Sequence, residues 1–273
     1  LSCSSAASDV YKRQDIHPAV WLPDLFMKRV ESNSKWTLFS PDTVPELHES
    51  FGKEFDSLYE KYENMNLPGA KEINASDLWR KMLTMLFETG HPWITFKDPS
   101  NLRSPQDHCG VVNGSNLCTE ITLNTSKEET AVCNLASVNL SNHVNHEGIQ
   151  YDKLKKSVHV AMRMLNNVID VNYYTISETK NSNDLHRPVG LGLMGYQDAL
   201  YKLGIKFDSE ENLNFADEVM EFISYNAFDA SCNLAQEFEP YKSIQGSKWS
   251  KGILPIDSIK NLEENRGRTI IVD

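Results

Sequence analysis

The chain is poor in cysteine, with five in 273 residues, and none of them is spaced as C-x-x-C or grouped with histidine as a ligand set. That leaves a zinc knuckle or a thioredoxin-like motif with little support. Five dispersed cysteines do not make a secreted disulfide framework either, so the composition fits a reducing, cytoplasmic compartment in which thiols stay available. No stretch approaches the roughly 18 uninterrupted apolar residues that a membrane span needs. Basic residues are scarce beside acidic ones. The 27 Lys and Arg against 38 Asp and Glu leave a formal net charge of −11, which argues against nonspecific binding to a nucleic-acid polymer while allowing a local site for phosphates. Internal repeats and low-complexity linkers are also missing, so no boundary is indicated within residues 15–273. Residues 1–14, with Cys3, have neither amphipathic period nor the apolar core of a signal peptide. They read as a non-native or disordered leader.

What is present is concentrated in a few residues. In the run Ser115-Asn-Leu-Cys-Thr-Glu-Ile-Thr-Leu123, Asn116, Cys118 and Glu120 fall at alternate positions. If the segment is extended, an amide, a thiol and a carboxylate project from one side while Leu117, Thr119 and Ile121 take the other. Such a set holds a hydrogen-bonding amide, a sulfur able to give up a hydrogen atom and a group able to accept a proton. The competing reading is a strand edge with three unrelated polar side chains. No histidine follows Cys118 within ten residues, and His108 sits ten before it; a thiolate nucleophile paired with histidine is therefore not indicated locally. Cys133, in Ala131-Val-Cys-Asn-Leu-Ala-Ser-Val-Asn-Leu140, follows the polar stretch 125–130, which reads as a turn or loop able to bring the two sulfurs together. Redox or radical chemistry suits two such thiols. Cys109 reads as a loop or small buried cysteine and Cys232 as helix packing.

Helical signals dominate the remainder. Pro23 suits a first helical turn ahead of Leu25, Phe26, Met27 and Val30. Residues 47–62 have mixed charged and apolar spacing. Ser76 is placed to cap a helix from Asp77 whose Leu78, Met82, Leu83 and Leu86 form a buried stripe ending at Gly90. Helices are also expected over 152–170 and from a Ser209 cap toward Phe238, with Leu213, Met220, Ile223 and Leu234 among the inward positions. Met162, Met164, Met194 and Met220 read as core filler. Strands are expected near 93–96, 116–123, 131–140 and 188–193, and this alternation favours an α/β architecture.

Two further patterns compete for function. Gly190-Leu-Gly-Leu-Met-Gly195 satisfies G-x-G-x-x-G, the pattern of a nicotinamide-dependent dehydrogenase, but a polar stretch precedes it and Asp208 arrives only 13 residues after it. Close packing at Gly190 and Gly192 is the preferred reading. His143 and His146 could offer two metal ligands, although their neighbours favour a polar loop and no metal site is assigned. His186-Arg187 reads as an exposed basic turn, and Lys153, Lys155 and Lys156 as a solvated helix end.

Asn116-Leu-Cys-Thr-Glu-Ile121, Glu129-Thr-Ala-Val-Cys-Asn-Leu-Ala-Ser-Val-Asn-Leu140, Arg187-Pro-Val-Gly-Leu-Gly-Leu193 and Trp249-Ser-Lys-Gly-Ile-Leu-Pro255 together resemble the large, catalytic subunit of class I ribonucleotide reductase. The similarity is collinear from about His17 and begins with Trp21-Leu-Pro-Asp-Leu-Phe-Met-Lys-Arg29. It implies an α/β fold, part of a ten-stranded α/β barrel incomplete at both ends, with the radical cysteine on an interior loop. Cys118 then matches the thiyl radical that removes the 3′ hydrogen of a ribonucleotide, and Glu120 the acceptor of the 3′-hydroxyl proton. Asn116 matches the amide that orients substrate, and Cys133 one of two redox-active cysteines that reduce it and end as a disulfide.

The same resemblance implies no cofactor bound directly by these residues. A ribonucleoside diphosphate would be the substrate, a metal-containing small subunit the radical source, a thioredoxin or glutaredoxin the reductant and a catalytic-subunit homodimer the assembly. Residues 1–273 would lack the partner of Cys133, the effector-binding regions, the downstream phosphate loop, the radical-path tyrosines and a C-terminal cysteine pair, and would be inactive alone. A cobalamin-dependent ribonucleotide reductase would share the thiyl chemistry without a small subunit.

Overall fold

In the computed structural model, residues 18–255 and Asp257 are described. The leader expected at 1–14, with Cys3, lies outside them. The chain forms two compact units, one running to Ser126 and resuming at Gly246, the other spanning Lys127–Gln245.

The first unit contains β1 (Ala19–Leu22), α1 (Asp24–Glu31), β2 (Lys35–Leu38), α2 (Gly52–Glu63), β3 (Lys71–Asn74), α3 (Ala75–Thr89), β4 (Trp93–Phe96) and α4 (Lys97–Arg103). Strands β1 and β4 pair in parallel, with Ala19 opposite Trp93 and Leu22 opposite Phe96. Parallel neighbours need a long crossover, and the intervening helices supply it. Strands β2 and β3 pair antiparallel from Lys35↔Asn74 to Leu38↔Lys71. Leu22, Leu25, Phe26, Trp36, Phe55, Tyr59 and Ala75 form the core. Trp36 stacks on Tyr59 at 4.2 Å and meets Phe26 edge-on at 5.1 Å, the offset and T-shaped geometries that the aromatic quadrupole favours.

Several helix ends differ from the sequence expectation. Pro23 precedes α1 as its cap residue. The region from Leu47 splits into a short turn, Pro45–Leu47, and a helix that begins only at Gly52. Helix α3 starts at Ala75 because Asn74 rather than Ser76 is its cap: the Asn74 amide oxygen accepts from the Asp77 N–H at 3.1 Å. The Ser76 hydroxyl instead donates to Val30 O. Gly90 ends the helix in the left-handed conformation, as expected. Of the predicted stripe, Leu78, Met82 and Leu86 are half-buried while Leu83 is exposed.

Lys97 and Asp98 carry the junction between β4 and α4. The Asp98 carboxylate accepts from Asp24 N at 2.5 Å and Gly52 N at 2.6 Å, joining the starts of α1 and α2 to this point. Lys97 Nζ donates to Leu47 O and His48 O and lies over the Phe55 ring. Burial pulls its pKa down from 10.5 to about 8, because leaving water penalises the charged form. The folded value lies below the unfolded one, so unfolding takes up a proton between about pH 8 and 10.5 and stability rises with pH across that window. The slope is at most about 1.4 kcal/mol per pH unit for one proton, lessened by residual solvent contact. Urea unfolding of Lys97→Met is expected to lack this component, so that the stability gap between wild type and variant changes with pH above about 8. Equal pH slopes for the two proteins would show that the fold does not lower the pKa of Lys97.

The second unit contains β5 (Leu135–Asn139), β6 (Val144–Asn145), β7 (Gly148–Ile149), α5 (Tyr151–Val171), α6 (Ser177–His186), β8 (Gly190–Met194), α7 (Tyr196–Leu203) and α8 (Glu210–Phe238). Strands β5 and β8 are parallel, from Leu135↔Gly190 to Asn139↔Met194, whereas β6 and β7 form a short antiparallel pair. Helices α5 and α8 bury Leu154, Val158, Met162 and Leu165 with Phe215, Val219, Ile223 and Leu234. Ser209 caps α8 by accepting from Asn212 N, as its position predicts. The methionine reading holds for Met162 alone. Met164 and Met220 are exposed, as is Leu213, since each falls one position off the helical strip that packs inward, and Met194 at the end of β8 is exposed too. The expected α/β character is present in both parallel pairs and the helices that connect them. No helix of the described residues is long and apolar enough to cross a membrane.

Candidate functional site

Residues 110–124 form a loop in the first unit that is pinned near its base. Val112, fully buried, donates its N–H to Asn101 Oδ1 at 2.7 Å. Its carbonyl accepts from Asn101 Nδ2 at 2.9 Å and Trp21 Nε1 at 3.0 Å. Gly110 lies against the Asn124 side chain, where a Cβ would meet Nδ2 at 3.3 Å. The two ends of the loop are therefore close.

At the tip the predicted strand over 116–123 is absent. Thr119 N donates to Asn116 O at 3.1 Å, and Thr119 takes a left-handed backbone with φ of 68°. Ile121 N donates to Asn116 Oδ1 at 3.1 Å, and Asn116 Nδ2 donates to Glu120 Oε1 at 2.6 Å. The asparagine thus satisfies the chain locally and competes with any strand ladder, and the alternation argument that set Asn116, Cys118 and Glu120 on one strand face fails. A turn brings Asn116 and Glu120 into contact by another route. Cys118 lies between them with an exposed side chain, and its thiol makes no hydrogen bond among the described residues.

Cys133 belongs to the second unit and is exposed. It precedes β5, which begins at Leu135 rather than near Ala131. The Asn134 amide donates to Asn183 Oδ1 at 3.1 Å and Pro188 O at 2.9 Å, so the residue after the thiol is firmly held. Cys109 is half-buried, with its sulfur 3.3 Å from His108 Nε2.

The glycine run lies on β8 and the turn into α7. A Cβ on Gly190 would come within 2.6 Å of Leu135 Cδ2, and one on Gly192 within 3.1 Å of Ser137 Oγ. Both glycines are accounted for by strand packing, the preferred sequence reading, and Gly204 ends the following helix in the left-handed conformation. His143 is buried between Asn139 O and Ser157 Oγ, 2.7 Å from each. No group of three or more His, Cys, Asp or Glu side chains is arranged to hold a metal among the described residues.

The His186-Arg187 expectation is overturned. His186 is buried, with Nε2 2.6 Å from Glu129 Oε2 and Nδ1 2.7 Å from Ser243 Oγ. Arg187, with φ of 44°, donates to both oxygens of Asp170 and to Asn166. Hydrogen bonding to Asp170 raises the pKa of Arg187 and lowers that of Asp170. The partners lie up to 57 residues away, so local sequence holds no signal of them. A cleft of about 210 Å³ between α5 and α8 is lined by His159, Val160, Arg163, Ala230, Asn233 and Leu234. It contains none of the predicted site residues.

Residues 3–269 match the family model described as ribonucleotide reductase, barrel domain. The chain is 55% identical over 268 residues to the ribonucleoside-diphosphate reductase subunit alpha of Chlamydia muridarum, covering 97% of this chain and 26% of that protein. It is 44% identical over 248 residues to the large chain of the same enzyme from Neurospora crassa, covering 90% of this chain and 27% of that one. For the large subunit of Arabidopsis thaliana the identity is 41% over 267 residues, covering 90% and 33%. The chain therefore spans about a quarter to a third of the length of these relatives. With a match along nearly all of its sequence, it belongs to the ribonucleotide reductase barrel-domain family.

Proposed function

We propose that residues 15–273 are part of the catalytic barrel of a ribonucleoside-diphosphate reductase, which converts ribonucleoside diphosphates to 2′-deoxyribonucleotides by thiyl-radical chemistry. The observation that carries this reading is the turn in which Asn116 and Glu120 meet at 2.6 Å on either side of exposed Cys118. Family membership supports it along almost the whole chain. In this reading the Cys118 thiyl takes the hydrogen atom from C3′ of the ribose and returns one at the end of the cycle. Glu120 accepts the 3′-hydroxyl proton, and the Asn116 amide orients both the carboxylate and the sugar. Cys133 and a second cysteine supply two electrons and two protons. They finish as a disulfide while the 2′-hydroxyl leaves as water.

The radical comes from a metal-containing small subunit, consistent with relatives named as large or alpha subunits. A thioredoxin or glutaredoxin restores the thiols, the catalytic subunits pair as a homodimer, and the protein works in the cytoplasm. The test is partner dependence. Full-length protein containing this region is expected to reduce ribonucleoside diphosphates only when its radical-generating small subunit is added. Turnover restored by adenosylcobalamin alone would replace this reading with the cobalamin-dependent one.

A further inference from the structure

Helix α6 buries only polar side chains: Ser182, Asn183 and His186. A helix docked without an apolar stripe gains little from the hydrophobic effect, so its place in the fold must rest on specific hydrogen bonds. Four of those bonds reach one neighbouring segment. Residues 127–134, which have no regular secondary structure of their own, are tied to α6 and its flanks on both sides of Cys133. Thr130 N donates to Glu178 O at 3.1 Å, and Asn181 Nδ2 donates to Glu128 O at 3.1 Å. His186 Nε2 meets Glu129 Oε2 at 2.6 Å, and Asn134 Nδ2 donates to Asn183 Oδ1. Asn183 is itself held, since its Nδ2 donates to the Tyr174 hydroxyl at 2.7 Å and that hydroxyl donates to Ile169 O on α5. Ser243 Oγ closes the other side of His186 and donates to Leu185 O.

We infer that α6 is a positioning platform for Cys133, with Asn183 and His186 as positioning residues that fix the thiol for reduction of substrate and disulfide formation. This rests on the reductase reading for the role of Cys133, while the tether itself rests on geometry alone. An exposed cysteine on an unstructured segment would sample many positions, and each lost tether lowers the fraction that is ready to react. The Glu129–His186 contact is the one to test, because its side chains can be removed without emptying the hydrophobic core.

The experiment uses the full-length subunit with its small subunit, comparing wild type with His186→Ala, Glu129→Ala, the double variant and Glu129→Gln. Single-turnover formation of the Cys133 disulfide is expected to fall by about tenfold or more in either alanine variant, the scale of losing a hydrogen bond to a charged group. The double variant should be no slower than either single one, KM for the nucleotide should not move, and Glu129→Gln, which keeps an acceptor for His186, should recover most of the rate. In parallel, amide hydrogen exchange over 127–134 should accelerate in the alanine variants and not in Glu129→Gln. Unchanged exchange overturns the tether. Faster exchange with an unchanged rate of disulfide formation, or strictly additive effects, overturns the positioning role. Wild-type protein that forms neither deoxyribonucleotide nor disulfide would count against the reductase reading and so against any role for Cys133 in it, with the exchange data still deciding the tether.

Discussion

Full-length subunit carrying Cys118→Ser is expected to form no deoxyribonucleotide while keeping its fold. Hydrogen-atom transfer from a sugar carbon needs the weak S–H bond of a thiol, and a serine hydroxyl of nearly the same shape cannot replace it as the radical carrier. The structure provides a reason for the fold to survive. Cys118 is exposed, its thiol makes no hydrogen bond among the described residues, and the turn is held by Asn116 through Thr119 N and Ile121 N. A stability change within about 0.5 kcal/mol is expected, the usual scale for surface substitutions away from special features. The checks are product analysis with the small subunit present and a thermal melt of the same preparation. Retained turnover would remove Cys118 from the mechanism.

The second large effect is expected at Glu120. Glutamine can still accept from Asn116 Nδ2 through its amide oxygen, so the contact seen at 2.6 Å can persist, but it cannot take up the 3′-hydroxyl proton. Loss of a positioned base costs roughly 10²–10⁴ in rate, and Glu120→Gln should fall in that range with nucleotide affinity nearly unchanged. Single-turnover measurement is needed, because a slow conformational step would mask the chemical one in steady state. Asn116→Ala should behave differently. It removes the acceptor for Ile121 N together with the partner of Glu120, so the turn itself loosens. A chemical step as fast in Glu120→Gln as in wild type would show that the proton goes elsewhere.

The elements most legible in the sequence were those whose signals are local. Ser209 and Gly90 mark helix ends through hydrogen bonding and left-handed backbone that depend on near neighbours alone. Gly190 and Gly192 were readable as packing positions because their context lacked a buried preceding strand, and the close approach of Leu135 and Ser137 is consistent with that. The error at 116–120 had a local cause as well. Alternation suits a strand, yet an asparagine followed by residues it can cap is equally a turn former, and the Asn116 amide decides the outcome.

Motif order was enough to place the chain in the ribonucleotide reductase family with an α/β fold, and it marked a thiol between an amide and a carboxylate, with a second thiol downstream, as candidate groups. It could not specify how those groups are held. The Glu129–His186 and Asn134–Asn183 contacts join residues 57 and 49 positions apart, and the burial of a polar helix face follows from such partners rather than from any period within the helix. Side-chain type is a local property of the chain, whereas the partner that satisfies a buried polar atom is chosen only when distant segments meet.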